Sequence, residues 1–244
     1  MTLHVVQYSG GIGSWAATQR VIAEHGTANL VLLVADTRVE DPDLWRFVHD
    51  STVHIGVPPT VVADGRTPFE VFWDQRFLGN SRLAPCSAIL KQRPSRDWLT
   101  AHADPAGTVL YVGIDWSETR RIPAIERGWA PWTVRFPMCD PPHLSKQDML
   151  DWCASLGVRP PLLYDKAFSH NNCGGVCVRG GQKHWLHLLE VFPDRYAEAE
   201  AQEQQLRDEL GDVAILRDRH GGRSRPLTLT ELRRRQRARG TAGS

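Results

Sequence analysis

Two sets of residues in this chain have the composition of a chemical site. The first is Ser9–Ser14, with the sequence SGGIGS, which lies between a short apolar run and a helical pattern. Glycines let a backbone approach an anion closely, and a following helix points N–H groups at it. Walker A loops carry Gly-Lys-Ser/Thr, and this segment does not. We therefore predict a phosphate site of another kind, whose cofactor-binding residues are Ser9, Gly10, Gly11, Gly13 and Ser14; an ordinary tight turn between a strand and a helix is the alternative.

The second set consists of cysteines, of which there are five: Cys86, Cys139, Cys153, Cys173 and Cys177. The odd number and the lack of a secretory signal argue against a disulfide framework. Cys173 and Cys177 flank a glycine-rich turn, and thiolates are ligands for zinc and for iron–sulfur clusters. We predict Cys86 as the third ligand, because it precedes a helix whose N-terminus lowers a thiol pKa.

The fourth ligand stays open between Cys139, His170 and no protein ligand at all. Zinc and thiols that simply pack in the core are alternatives to a cluster. Cys153 sits in a capped helical pattern between Trp152 and Ala154, which predicts a buried small hydrophobic residue.

The elements that position these residues alternate between strand and helix. Strands are predicted at residues 3–8, 30–35, 60–63, 108–113 and 132–136, with helical patterns between the first four. This order predicts an α/β fold with a doubly wound, Rossmann-like parallel sheet. Helices are also predicted at 145–156, 185–210 and 230–237. We predict a nucleotide-binding domain at 1–140, a helical part with the cysteine site at 141–216 and a basic tail at 217–244.

Charged residues follow the predicted strands at the edge where open α/β sheets bind ligands. Arg120 or Arg121 would stabilise charge on a phosphate, and Lys91 is a further phosphate candidate. Glu118 would hold Mg²⁺ or position a loop, and Asp36 would contact ribose or metal. Lys91, Arg120 and Arg121 are, with Ser9, the predicted catalytic residues. Each of these charges could instead be a solvated surface group.

The net charge of +1 conceals an asymmetry. From Arg217 to the end, nine arginines oppose Asp218 and Glu231, which gives +7 and leaves −6 for the rest. Such a segment predicts either a nucleic-acid contact or a solvated tail, and no aromatic residues interleave the arginines to stack bases. No apolar run reaches the length of a membrane span, so we expect a cytoplasmic protein without membrane contact.

The segment Ser9–Ser14 resembles the S-G-G-x-x-S loop of the PP-loop ATP pyrophosphatases, which cleave ATP to AMP and pyrophosphate. Further segments are similar to the phosphoadenosine phosphosulfate reductase branch of that superfamily: Ala35–Thr37, Asp41–Leu44, Pro85–Ser87 with Lys91, Gly113–Arg121, Leu163–Tyr164, Phe168–Cys173 and Pro226–Leu229. Two departures stand out. Gly13 replaces the usual acidic residue, and no cysteine follows Cys177, whereas true reductases carry a catalytic thiol near the C-terminus.

The resemblance implies an enzyme that binds ATP and Mg²⁺, adenylates a substrate and transfers sulfur with the help of a 4Fe–4S cluster. The implied substrate is a nucleobase or nucleic acid, the sulfur donor a protein such as a cysteine desulfurase, and the assembly a homodimer. Alternatives are a sulfonucleotide enzyme that lacks the usual catalytic cysteine, and a non-catalytic nucleotide-sensing or nucleic-acid-binding module with a structural metal. The pattern Gly11-x-Gly13-x-x-Ala16 also fits a dinucleotide-dependent oxidoreductase.

Overall fold

The computed structural model describes residues 1–220 and 223–241. Its central sheet has five parallel strands: β1 (Leu3–Gln7), β2 (Leu30–Asp36), β3 (Pro59–Ala63), β4 (Thr108–Tyr111) and β5 (Thr133–Arg135). Their order is β3-β2-β1-β4-β5, and every neighbouring pair is parallel. The chain winds outward from β1 in one direction and then returns to its other side. The switch point therefore lies between β1 and β4, and the predicted Rossmann-like α/β fold is confirmed.

Ten α-helices accompany the strands in the described part of the chain. They are α1 (Ile12–His25), α2 (Pro42–Ile55), α3 (Pro68–Asp74), α4 (Arg93–His102), α5 (Ile122–Trp129), α6 (Lys146–Ser155), α7 (Leu162–Asp165), α8 (Gln182–Val191), α9 (Pro193–Leu210) and α10 (Leu229–Thr241). Helices α1, α2 and α6 cover one face of the sheet, and α4 and α5 cover the other. Val6 points into the first core and Val5 into the second, so the middle of β1 is apolar on both faces.

Local signals set several helix boundaries. The Asp41 side chain accepts from the Asp43 N–H, and Pro42 opens α2. Ser145 and Asp148 form the reciprocal capping box of α6. The helical pattern from Cys86 to His102 is split: a π-helical turn at Ser87–Gln92 precedes α4, which carries a proline in its first turn.

A second core joins α3, α8, α9 and the C-terminal elements. The chain after residue 215 forms an antiparallel hairpin of β6 (Leu216–His220) and β7 (Arg223–Leu227), followed by α10. Leu227, Leu229 and Leu232 are buried there. The segment expected to be a basic tail is therefore folded, because its apolar residues pack against α8 and α9. Residues 242–244 of that segment lie outside the described residues.

The second core is also tied by buried hydrogen bonds. The Glu203 carboxylate on α9 accepts from the N–H groups of Ile215 and Leu229, at 2.8 and 2.6 Å. The Tyr196 hydroxyl donates to the Leu229 carbonyl at 2.8 Å. Helix α3 contributes Phe69 and Phe72 to this core. In the described chain, no helix combines the length and the apolar character that a membrane crossing requires.

Candidate functional site

The loop after β1 has a conformation that only glycine accommodates well. Gly10 has a φ of +71°, and a Cβ there would lie 2.8 Å from the Leu44 Cγ of α2. Gly11 is extended and precedes the first turn of α1. The loop backbone therefore lies close against α2 and turns directly into a helix N-terminus, as the sequence predicts for a phosphate site.

The two loops at the switch point are in backbone contact. A Cβ on Gly13 would lie 2.7 Å from the Gly113 carbonyl oxygen, and a Cβ on Gly113 would lie 2.7 Å from the Gly13 carbonyl oxygen and the Ser14 nitrogen. Gly113 follows β4. The residues after β4 are thereby fixed beside the phosphate loop, at the place where this type of sheet binds ligands.

The two serines of the loop have different surroundings. Ser14 is buried, and its hydroxyl donates to the Gly11 carbonyl at 2.8 Å and accepts from the Ser9 N–H at 3.2 Å. Ser9 is exposed, and its hydroxyl donates to Ser14 Oγ at 3.3 Å. Ser14 thus stabilises the loop from within, while Ser9 presents its hydroxyl at the surface.

Side chains from a distant segment hold the same loop. The Asn171 amide, which is buried, donates to the Gly10 carbonyl at 2.8 Å. The Tyr164 hydroxyl accepts from the Ile12 N–H at 3.2 Å. Burial raises the pKa of Tyr164, so this hydroxyl stays protonated. Asn171 and Tyr164 belong to segments that the sequence singled out, but their contacts with the loop were not foreseen.

The residues after β4 form a 3₁₀ turn, Trp116–Arg121, that begins with the Asp115 side chain accepting from the Ser117 N–H. Arg121 pairs with Glu118 within this turn. Arg120 is exposed. The predicted phosphate and Mg²⁺ candidates of this turn therefore follow the segment that contacts the phosphate loop, and Arg121 and Glu118 form an ion pair.

His170 and Lys146 lie close to that turn. Burial lowers the pKa of His170, and the charge of Lys146 lowers it further, while Glu118 raises it. The Lys146 ammonium lies 5.7 Å from the centre of the Tyr164 ring and donates to the Ser169 carbonyl. Lys146, which was not among the predicted site residues, is therefore a further charged group near the switch point.

Asp36 ends β2, as predicted. Its carboxylate accepts from the Arg38 N–H at 2.8 Å and lies 3.5 Å from the Arg38 guanidinium. The side chain is 20% exposed, so it is accessible at the edge of the sheet where the predicted ribose contact would occur.

The cysteine turn has a strained backbone. Cys173, Gly174 and Gly175 have φ values of +52°, +55° and +89°, and a non-glycine residue rarely adopts such a φ. The Cys173 N–H donates to the Glu40 carboxylate. A strained conformation of this kind persists only where its surroundings hold it.

A partly buried ion pair supplies part of that support. Arg195 of α9 donates to the Gly174 carbonyl at 2.8 Å, and its guanidinium lies 2.7 Å from the Asp41 carboxylate. Because Asp41 also caps α2, the turn is fixed to the segment between β2 and α2. Asn171, whose amide binds Gly10, lies two residues before Cys173. The phosphate loop and the cysteine turn are therefore direct neighbours.

Two of the predicted cysteine ligands are in contact at this turn, and a third, Cys86, is close enough to feel the charge of Cys177. The Cys173 thiol donates to the Cys177 sulfur, which lowers the pKa of Cys177 to about 6 although burial opposes the shift. Burial raises the pKa of Cys86, and the nearby Cys177 charge raises it further. The expectation that a helix N-terminus would lower the Cys86 pKa is wrong, because desolvation of this side chain outweighs it.

Lys91 lies beside these thiols. Its ammonium is 3.3 Å from the Glu40 carboxylate, and Glu40 also accepts from the Thr37 hydroxyl at 2.9 Å. Burial alone would lower the pKa of Lys91, but Glu40 and the two cysteines of the turn outweigh burial and raise it. The sequence selected Lys91 as a phosphate ligand. In the structure its partner is Glu40, which no sequence signal indicated.

Cys139 lies in a different place. Its thiol donates to the Ile114 carbonyl at 3.6 Å, and burial together with the charges of Asp115, Asp140 and Glu118 raises its pKa. It is thus a neighbour of the turn after β4. Cys153 is fully buried in the first core, as predicted. Within residues 1–220 and 223–241, no group of three or more His, Cys, Asp or Glu side chains is arranged to hold a metal ion.

Comparison with known proteins does not assign this chain to a family. No protein-family model matches the chain, and no curated protein matches it in sequence.

Proposed function

We propose that this protein is an ATP-binding enzyme that cleaves ATP to AMP and pyrophosphate in order to adenylate an acceptor for sulfur transfer. The observation that carries the proposal is the position of Ser9–Ser14. This glycine-rich loop joins β1 to α1 at the switch point and is in backbone contact with the loop after β4. Anionic groups bind well at such a loop, since its N–H groups and the helix dipole both favour negative charge.

Each residue of the candidate site has its own role in the proposed reaction. Ser9 and the N–H groups of the loop bind the phosphates, and Asp36 contacts the ribose. Glu118 would hold Mg²⁺, which would neutralise part of the phosphate charge, and Arg120 and Arg121 stabilise charge on the phosphates. An acceptor oxygen attacks the α-phosphorus and pyrophosphate leaves. Sulfur then forms a bond to the acceptor carbon as the carbon–oxygen bond breaks, and AMP departs with that oxygen.

The cysteine turn fits a sulfur-binding metal in its donor chemistry. Cys173 bonds Cys177, whose pKa is lowered to about 6, and Cys86 is close enough for the Cys177 charge to raise its pKa, although the described residues do not form a ready-made metal-binding group. These three residues would hold a 4Fe–4S cluster, or zinc as the alternative metal. When bound, the cluster supplies a place from which sulfur is delivered. Cys139 has its own partner at Ile114 and is not part of this donor set.

ATP binding tests the proposal first. Ser9→Ala removes an exposed hydroxyl, and we expect the Kd for ATP with Mg²⁺ to rise about tenfold, because a hydrogen bond to a charged group contributes about 1.5 kcal/mol. Ser155→Ala on α6 is the matched control and leaves the Kd unchanged. Equal affinity of Ser9→Ala and the control would contradict the phosphate site. Pyrophosphate release on addition of nucleobase or nucleic-acid acceptors then tests the reaction.

Metal content tests the cysteine site separately. We expect anaerobically purified protein to contain iron and sulfide, and Cys173→Ala and Cys177→Ala to lose them. Cys153→Ala is the control, since its thiol lies in the first core and donates to the Val158 carbonyl. Equal metal content in all three variants would contradict the site.

A further inference from the structure

We infer that the β6–β7 hairpin binds the phosphodiester backbone of a nucleic acid. Four exposed arginines lie on this ribbon: Arg217, Arg219, Arg223 and Arg225. Among the ion pairs of the described residues, none involves any of the four. Among the described residues, the Arg217 guanidinium donates to Ser224, across the ribbon. The ribbon contains one acid, Asp218, which pairs with Arg235 of α10, so its four arginines leave it with a net positive charge.

Helix α10 provides the contrast. It contains three consecutive arginines, and each of them pairs with an acidic side chain. Arg233 pairs with Glu200 at 2.7 Å, Arg234 with Glu231 at 2.7 Å, and Arg235 with Asp218 at 2.7 Å. The three arginines of this run are thus paired with acids, whereas none of the four hairpin arginines is in an ion pair with a described residue.

The ribbon is anchored and does not have to become ordered on binding. Leu216 and Leu227 are paired at its base and buried in the second core. The register continues through Arg219 opposite Ser224. A preformed surface avoids part of the entropy that ordering a flexible basic segment would cost.

The register distributes the arginines over both faces of the ribbon. Arg217 and Arg219 share one face, since residues two apart on a strand point the same way. Arg225 is opposite Asp218, so Arg223 and Arg225 lie on the other face. Within each pair the spacing along the strand is about 7 Å. Positive charges repeated on two faces suit an extended polyanion rather than one small anion. A two-stranded ribbon also has the dimensions to enter a DNA major groove, which is about 12 Å wide.

The ribbon is continuous with the candidate site. The Gln182 side chain, at the start of α8, donates to the Arg217 carbonyl at 3.1 Å. Gln182 lies five residues after Cys177, and the exposed Arg179 stands between them. A nucleic acid on the ribbon would therefore extend toward the cysteine turn. The role of that nucleic acid as the sulfur acceptor rests on the proposed function, whereas the binding itself does not.

Binding without ATP tests the inference. The probes are a short duplex DNA, the corresponding single strand and a structured RNA, titrated at several salt concentrations. For the probe that binds, we expect Arg219→Ala/Arg223→Ala/Arg225→Ala to weaken affinity at least about tenfold. The slope of log Kd against log salt should become shallower by about 2 to 3, since each lost phosphate contact removes nearly one released counterion.

The matched control is Arg93→Ala/Arg127→Ala/Arg135→Ala, which removes the same charge from exposed positions on α4, α5 and β5. We expect this variant to keep the affinity and the slope of the unaltered protein. Equal weakening in both triple variants, or no binding of any of the three probes by the unaltered protein, would overturn the inference. Failure of ATP binding would leave it standing, because the assay contains no nucleotide.

Discussion

The phosphate loop and the cysteine turn are neighbours, yet different forces hold them. Backbone contacts and the buried Ser14 hydroxyl shape the loop, with glycine at Gly10, Gly13 and Gly113 where no side chain fits. The cysteine turn instead depends on charged side chains, Glu40 and Arg195, that lie more than 20 residues from it in the chain. Both regions therefore depend on distant parts of the chain, but the loop is held by backbone contacts and uncharged hydrogen bonds, whereas the turn is held by charged side chains.

This difference has a consequence for mutation. A side chain added at one of these glycines should overlap with neighbouring atoms and thereby prevent phosphate binding. Replacing a charged residue that supports the cysteine turn should weaken the ion pairs and hydrogen bonds of the turn and leave the phosphate loop unchanged. The next four experiments compare the two regions in order of decreasing expected effect.

Gly113→Ala should have the largest effect. The added Cβ would lie 2.7 Å from three backbone atoms of Gly13 and Ser14, which cannot move aside as a flexible side chain could. We expect a loss of about 3 kcal/mol in the free energy of unfolding and loss of ATP binding. Gly128→Ala, where a Cβ meets nothing within 4 Å, is the control for chemical denaturation. Stability equal to the control would show that the two loops do not depend on this contact.

Glu40→Gln should affect the cysteine turn and spare the loop. It removes the charge that accepts from the Cys173 N–H and pairs with Lys91, and we expect a loss of about 2 kcal/mol. Labelling of the cysteines by a thiol reagent should become faster, while the Kd for ATP stays the same. Glu126→Gln on α5 is the control, since that side chain is exposed. An equal change in ATP affinity would contradict the separation of the two regions.

Asp43 connects α2 to the segment before Tyr164, and its effect depends on pH. Hydrogen bonds from Arg46 and the Leu162 N–H lower the pKa of Asp43 below its usual 3.8, although burial opposes them. Because the folded-state pKa is the lower one, the stabilisation is complete above about pH 4 and is lost as the pH falls.

Asp43→Asn should therefore cost about 1.5 kcal/mol at pH 7 and progressively less in acid. Thermal unfolding measured between pH 7 and pH 3 compares the variant with the unaltered protein. Parallel Tm curves over that range would contradict a stabilising role of the Asp43 carboxylate.

Tyr164→Phe should have the smallest effect on stability. It removes the hydroxyl that accepts from the Ile12 N–H, and we expect a loss of about 1 kcal/mol with a several-fold weaker ATP affinity. Tyr111→Phe is the matched control, because its hydroxyl bonds His4 Nδ1 instead, at 2.9 Å. If both variants bind ATP equally well, the contact between Tyr164 and the loop has no role in nucleotide binding.

The sequence identified the elements of the sheet because their signals are local. The apolar runs of β1 and β2, the capping box at Ser145 and the proline at the start of α2 all depend on residues a few positions apart. The β6–β7 hairpin was missed, because its strands are rich in arginine and have no apolar alternation. Among the hairpin residues whose burial is described, Leu216 and Leu227 at its base are the buried ones, and that burial depends on α8 and α9.

What the sequence determined by itself was the parallel sheet, the glycine-rich loop at its centre and the buried state of Cys153. These follow from periodicity, turn chemistry and side-chain polarity, which act over short distances along the chain. Only the tertiary structure decided that Asn171 holds Gly10, that Glu40 supports Cys173 and that Cys139 lies apart from the other thiols. Such contacts join residues up to 161 positions apart, and they arise only when packing brings their elements together.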